Sequence, residues 1–285
     1  MPKPTTVGTW LEWAKTKIDP ADAELIAVRS FAPEDTDRSW LVTHQDYPLP
    51  DDLEHHFVPA NQMVEERAQG KPLAYLLNQR NFYGRDFYIT DHVLIPRPES
   101  EAIIDLVKTL DLPAQPHIID LGTGSGCLAI TLALEIPQAT LVGADISRDA
   151  LQTAEVNNNY LEGRVTLVAS DLLSNIHPEE HGAFDVIVGN LPYVNPAWEW
   201  LDFKTLVYEP QLALYPERGT SENGLSAYHR LFDELAEYTK TAPVHNLILE
   251  ADPCQHEGLI NLAKSRHWQH HATNGYALAF QPTNR

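Results

Sequence analysis

The sequence predicts an α/β fold: a mostly parallel sheet covered by helices, with a small helical region ahead of it. Three observations carry that expectation. From His117 onward, short apolar runs alternate with helical ones, as they do where helices cross over a parallel sheet. One of those runs, ending at Leu121, passes through Gly122-Thr123-Gly124-Ser125-Gly126 straight into a helical pattern. The first 70 or so residues carry helical spacing instead, and 285 residues leave room for about two domains.

Taken in order, Trp10, Trp13, Ala14 and Lys17 recur at helical spacing, and a second helix is expected over residues 23–31 after the Asp19-Pro20 start signal. A third is expected over residues 53–63 after Asp51 and Asp52. The joint Gln69-Gly70-Lys71-Pro72 leads to residues 81–95, aromatic and β-branched with near alternation at Phe87, Ile89, Val93 and Ile95, which predict a hairpin or an irregular strand pair. Pro96 and Pro98 introduce a helix over 100–110. Strands are then expected at 117–121, 140–145, 164–169, 184–189, 244–250 and 275–281, and helices at 125–135, 147–160, 224–240 and 255–266. The stretch 191–223 holds four prolines and is long for a connection, which marks it as functional rather than filler.

Composition narrows the function. Twenty Lys and Arg against 40 Asp and Glu give a net charge of −20, which repels phosphate backbones, and neither the first 80 residues nor the remainder carries a basic excess. Direct nucleic-acid binding is not expected. Cys127 and Cys254 stand far apart, so no disulfide framework or cysteine zinc site is available. The chain shows no signal-peptide core near Met1 and no run of 18 apolar residues, so a cytoplasmic protein without membrane association is expected.

The glycine turn places backbone N–H groups and a helix N-terminus beside a ligand, and glycines let the main chain approach it closely. Asp145, 21 residues after Gly124 at the end of the next strand, suits the two ribose hydroxyls of an adenosine. Gly124-Ser125-Gly126-Cys127-Leu128-Ala129 also satisfies the pattern of dinucleotide sites, so the loop alone does not choose the cofactor. Two further carboxylates favour S-adenosyl-L-methionine: Asp120 before the glycines, toward the methionine ammonium, and Asp171 after the third strand, toward the adenine amino group.

The strand over 184–189 runs into Asn190-Leu191-Pro192-Tyr193, which should face the same crevice. The Asn190 side-chain oxygen and the Leu191 main-chain carbonyl can each accept one hydrogen of a planar –NH₂ group. Pro192 stiffens the turn, and Tyr193 offers a ring face. An amide or an adenine amine both fit this description.

These motifs resemble the bacterial peptide chain release factor glutamine methyltransferases, the HemK/PrmC family. The resemblance extends over most of the chain, through Gly70-Lys71-Pro72-Leu73, Phe82-Tyr83-Gly84, Ile95-Pro96-Arg97-Pro98-Glu99, the glycine loop, Asn190 to Tyr193, Tyr208-Glu209-Pro210 and Leu249-Glu250. It implies a class I methyltransferase fold with a Rossmann-like, mostly parallel seven-stranded sheet over 98–285, a hairpin linker over 79–97 and a helical substrate-docking domain over 1–78. It further implies methyl transfer to the Gln of the Gly-Gly-Gln motif in class 1 release factors. Gly122 to Gly126, Asp145, Leu172 and Asn190 would touch the cofactor, while Asn190 to Tyr193 would hold the Gln. The family has Pro where Leu191 stands, and some members have an aromatic residue where Leu172 stands. Related readings are a ribosomal-protein glutamine methyltransferase, an adenine-N6 methyltransferase and an inactive cofactor-binding interaction protein.

Arg97 is expected either to bind substrate at the site entrance or to belong to a helix start with Glu99; Glu209 and Glu250 read as structural. His177-Pro178-Glu179-Glu180-His181 matches the letters of one zinc-protease class but reads as a surface loop, and His55-His56 and His270-His271 lack a third ligand. Trp10, Trp13, Phe31 and Trp40 read as core.

Overall fold

A computed structural model describes residues 4–34, 36–49, 57–199, 201, 203–215 and 223–283. The chain packs as two units, Met1–Asn78 with Asp202–Tyr208, and Gln79–Leu201 with Glu209–Arg285. This division groups the hairpin with the larger unit.

The smaller unit is helical because its caps and apolar stripes agree. Thr6 and Thr9 form a capping box at the start of Val7–Lys15, and Asp19 accepts from Ala21 N at 2.8 Å ahead of Pro20–Phe31. Trp10 is fully buried, meets Phe31 edge-on at 5.1 Å, and donates from Nε1 to Asn61 Oδ1 at 2.7 Å, so the buried indole keeps a partner. The third helix is Val58–Ala68 rather than 53–63; the expected start at residues 53–56, with His55 and His56, lies outside the described residues. Two short helices, Trp40–Thr43 and Leu73–Leu77, carry too few residues to show a period in the sequence. Phe203–Leu206 brings part of the long 191–223 stretch into this unit, where Tyr208 Oη donates to Gln69 O at 3.3 Å.

The larger unit opens with β1 (Gln79–Phe82) and β2 (Arg85–Tyr88), joined by Tyr83 and Gly84 at φ 50° and 73°. Two successive positive φ values make the tight turn that suits hairpin twist. Residues 89–97 are irregular, so the expected strand pair is shorter than predicted. A single 3₁₀ turn, Pro98–Ser100, then leads into Glu101–Lys108.

The main sheet contains β3 (His117–Leu121), β4 (Thr140–Asp145), β5 (Thr166–Ala169), β6 (Phe184–Gly189), β7 (Val244–Glu250), β8 (Trp268–Asn274) and β9 (Ala277–Pro282). Its order is β5-β4-β3-β6-β7-β9-β8, with the first five parallel and β9 antiparallel to both neighbours. Seven strands, five of them parallel, are as the resemblance implied. The residue pattern predicts only one of the last two strands. β8 is an edge strand in which Trp268 alone is buried, and Gln269, His271 and Asn274 face solvent, so no apolar run announces it. Helices Cys127–Glu135, Arg148–Tyr160, Ser226–Tyr238 and His256–Ser265 cover the sheet. His177 to His181 forms one helical turn, Pro178–His181, rather than a loop. Among the described residues no three His, Cys, Asp or Glu are grouped to hold a metal ion.

Candidate active site

β3 and β6 pair in parallel with Leu121 opposite Gly189, so their carboxyl ends deliver the glycine loop and Asn190 to one place. The strand order changes direction at this pair, the position where open α/β sheets take ligands. A cavity of about 550 Å³ opens there, a size suited to a nucleoside-bearing ligand.

One wall is the glycine loop. Gly122 N and Thr123 N donate to Ala144 O at 2.8 and 2.9 Å, which ties the loop to the end of β4. Gly122 has φ 71°, and a Cβ there would stand 3.3 Å from Leu191 Cδ2. Gly126, at φ 81°, turns the chain into Cys127–Glu135, and a Cβ there would meet Ile130 Cδ1 at 2.8 Å. The Asn157 side chain donates from Nδ2 to Ser125 O and to Tyr88 O, both at 2.9 Å, so it fastens the loop to the hairpin. The Asp145 carboxylate accepts from Gly124 N and Ser147 N at 2.8 Å each, leaving further lone pairs on both oxygens toward the cavity it lines.

Most of the sequence-predicted residues lie on this cavity: Arg97, Gly122, Thr123, Gly124, Ser125, Asp145, Asp171, Leu172, Asn190, Leu191 and Pro192. Three stand behind the wall. Gly126 shapes the turn without facing the cavity. Tyr193 donates from Oη to Glu250 Oε1 at 3.0 Å, while its carbonyl accepts from Gln255 Nε2 at 2.9 Å, so both polar ends of the residue are engaged by protein. Asp120 is fully buried and accepts from Thr123 Oγ1 at 2.7 Å. One of its oxygens thus braces the loop through Thr123, while Oδ1 is buried with no hydrogen-bond partner among the described residues.

Burial raises the Asp120 carboxyl to about 7, with the nearby Asp145 adding to the rise and Thr123 opposing it. The neutral form is therefore favoured in the fold. This destabilises the native state progressively as pH climbs from 3.8, the ordinary value, through about 7, and the penalty is absent below that range. Asp120→Asn is expected to stabilise the protein by about 2–4 kcal/mol above neutrality and by little at low pH. Denaturant unfolding at several pH values measures this, and an equal midpoint for both proteins at alkaline pH would contradict it.

At the adenine-facing end expected from the sequence, Asp171 Oδ2 accepts from Arg230 Nη2 at 2.6 Å, and Leu172 adopts φ 48°, a left-handed conformation that turns its backbone at the cavity edge.

At the other end, Asn190 Nδ2 donates to Ser100 Oγ and to Glu250 Oε1, each at 3.0 Å, while Oδ1 has no protein partner among the described residues. Leu191 is a core residue, 2% exposed as a whole, with its side chain on Gly122, and its main-chain carbonyl is the polar group it can offer as an acceptor. That carbonyl lies 3.4 Å from the Tyr228 hydroxyl, whose main hydrogen bond goes to the Glu250 carbonyl. Arg97 pairs with Glu209, Nη2 to Oε1 at 2.6 Å, and Glu209 Oε2 accepts from Ile95 N at 3.2 Å. Glu209 thereby joins the Ile-Pro-Arg segment to the chain that carries Pro210, Leu212 and Ala213 along the cavity.

No pattern in the sequence marks Ser100, Tyr228 or Gln255, and Glu250 reads there as structural. For Glu250 a signal existed: a carboxylate directly after the apolar run Leu247-Ile248-Leu249 stands at the carboxyl end of a parallel strand, where ligands bind.

Comparison with known proteins adds to this geometry. The chain matches the family described as PrmC N-terminal domain over residues 10–77 and the one described as Methyltransferase small domain over residues 102–203. It is similar to the release factor glutamine methyltransferase of Koribacter versatilis, 36% identical over 232 residues that span 81% of this chain and 79% of that protein. It is also similar to that of Chlorobaculum tepidum, 41% identical over 164 residues, 54% of this chain and 56% of that protein. A solved methyltransferase from Pyrococcus furiosus aligns at a TM-score of 0.50 with 14% identity, over 71% of this chain and 91% of that one, a likeness of fold alone.

Proposed function

This chain belongs to the release factor glutamine methyltransferase family, and from that premise we propose that it methylates the side-chain amide nitrogen of the Gln in the Gly-Gly-Gln motif of class 1 peptide chain release factors. The observation that carries the reading is the Asn190 side chain, whose two N–H bonds are both engaged by protein so that its oxygen is left for the cavity.

S-adenosylmethionine fits the residues present: Gly122 and Gly124 leave the loop's main chain open to close approach, and Asp145 keeps acceptor lone pairs beside it. Gly122 to Ser125, Asp145, Asp171 and Leu172 would hold the cofactor, with Asp145 on the ribose hydroxyls. When bound, it supplies an electrophilic methyl group on a sulfonium. Asn190 Oδ1 and the Leu191 carbonyl would each accept one N–H of the acceptor amide and so aim its nitrogen. An amide nitrogen is a poor nucleophile because its lone pair is delocalised, so two preset acceptors serve both to orient it and to stabilise the positive charge it gains. That charge makes the N–H acidic, and water suffices to take the proton. Pro192 would keep the turn rigid, and Arg97 would order the entrance through Glu209.

The net charge of −20 supports a protein substrate over the adenine of a nucleic acid, which also carries a planar –NH₂. The cytoplasm, where translation ends, is the proposed location; no helix among the described residues is long and apolar enough to cross a membrane.

Incubation with labelled S-adenosylmethionine and a class 1 release factor tests the reading. Label is expected on the wild-type factor and not on one carrying Ala at the Gly-Gly-Gln glutamine. Label absent from the first, or present equally on both, would overturn it.

A further inference from the structure

Glu250 ends β7 with 1% of its surface exposed, yet it touches two residues of the Asn190 turn. Asn190 Nδ2 and Tyr193 Oη both donate to its Oε1 at 3.0 Å. The other Asn190 N–H goes to Ser100 Oγ, also at 3.0 Å. A carboxamide has two chemically opposite ends, and packing alone scarcely tells them apart because they are nearly the same size. Ser100 does not tell them apart either, since a hydroxyl donates or accepts. An ionised carboxylate only accepts. Glu250 is therefore the one partner that requires the nitrogen of Asn190 to point inward and its oxygen to point outward.

We infer that Glu250 is a positioning residue for methyl transfer: ionised, it holds Asn190 Oδ1 toward the acceptor –NH₂, and protonated, it releases that hold, so that transfer slows in acid. The inference rests on the reading that Asn190 Oδ1 accepts from the substrate amide. Protonated Glu250 carries an O–H of its own, which can donate to the Asn190 oxygen and stabilise the reversed amide. The reversed amide presents N–H groups to N–H groups, and the acceptor nitrogen is no longer aimed.

The surroundings place this change within reach. Glu250 Oε2 is buried with no hydrogen-bond partner, so the charged form lacks part of its solvation. Burial pushes the carboxyl up to about 7, against the opposing pull of the Ser100 and Tyr193 hydroxyls. Glu99, before helix Glu101–Lys108, adds to the rise, and Arg97 reduces it. The remaining titratable groups that feel Glu250 are Tyr228 on Ser226–Tyr238, Tyr276 in the β8–β9 turn and Cys127 at the start of Cys127–Glu135. All three are shifted upward, Cys127 to about 12, and stay neutral where Glu250 titrates.

The test measures kcat and KM for a class 1 release factor against pH, with S-adenosylmethionine affinity followed by calorimetry. Wild-type kcat is expected to fall up to about tenfold per pH unit below about 7, with KM nearly constant. Glu250→Gln keeps a carbonyl that accepts from Asn190 Nδ2 but has no proton to gain, so its kcat should be reduced yet independent of pH. Glu250→Ala should lose about a hundredfold in kcat above about pH 7 and show no acidic limb of its own, so that the gap to the wild type narrows in acid, while cofactor affinity stays within about threefold. Ser100→Ala removes a hydroxyl that lowers the Glu250 carboxyl, so its acidic limb should move to higher pH, a shift that simple loss of packing does not produce. An active wild type whose Glu250→Gln variant keeps the acidic limb, or whose Ser100→Ala variant leaves that limb in place, overturns this inference alone. A wild type that methylates no release-factor Gln overturns the underlying function and the inference with it.

Discussion

Asn190→Ala is expected to lower kcat for release-factor methylation by at least about a hundredfold, with S-adenosylmethionine affinity held within about threefold. The asymmetry follows from where the residue stands. Its amide is fastened from behind by Ser100 and Glu250, which leaves its oxygen as the proposed acceptor for the substrate N–H. Truncation removes that acceptor and leaves the glycine loop and Asp145 untouched, since neither is hydrogen-bonded to Asn190. The loss should fall on the transition state, where the nitrogen carries positive charge, more than on the ground state, so kcat drops more than KM rises. Single-turnover transfer together with calorimetric titration separates the two effects. Transfer at the native rate with cofactor bound would remove Asn190 from the mechanism and with it the proposed way of holding the Gln.

Asp145→Ala should produce the complementary failure, a cofactor affinity weakened by more than about a hundredfold. The carboxylate is 9% exposed and receives the N–H groups of Gly124 and Ser147, so it shapes the loop as well as offering acceptors to a ribose. Burial raises its carboxyl, and the backbone N–H groups of Ser147, Gly124 and Ile146 oppose that rise. Hydrogen bonds to a charged group contribute about 1.5–3 kcal/mol each, and losing those to both ribose hydroxyls accounts for the expected change. At saturating cofactor the variant should recover much of its kcat, because the Asn190 turn is intact. A dissociation constant equal to the wild-type value would exclude Asp145 from the cofactor site, and an unrecoverable kcat would give it a different role.

The parts of the site that were legible in the sequence are those whose chemistry is contiguous. Gly122 to Gly126 need positive φ within five residues, and Asn190 to Tyr193 carry an acceptor side chain, an acceptor carbonyl and a stiff turn in four. Each announces itself without help from distant chain. The alternation of apolar runs likewise announced β3, β4, β6 and β7, buried strands with few polar positions. Where one face of a strand is wet, as in β8, or where a helix lasts a single turn, as in Gln211–Leu214, the pattern is too short or too polar to read.

What the sequence by itself determined is the class of fold, the family, and the two local segments proposed to meet a cofactor and an acceptor amide. Only the tertiary structure decided which end of the Asn190 amide faces the cavity, because that depends on Ser100 and Glu250, 90 and 60 residues away in the chain. It also moved Asp120 and Tyr193 off the cavity wall, and joined Arg97 to Glu209 across 112 residues. The physical reason is the same in each case. Backbone conformation is set by near neighbours, whereas the direction of a polar side chain is set by whichever donor or acceptor the fold brings within 3 Å of it.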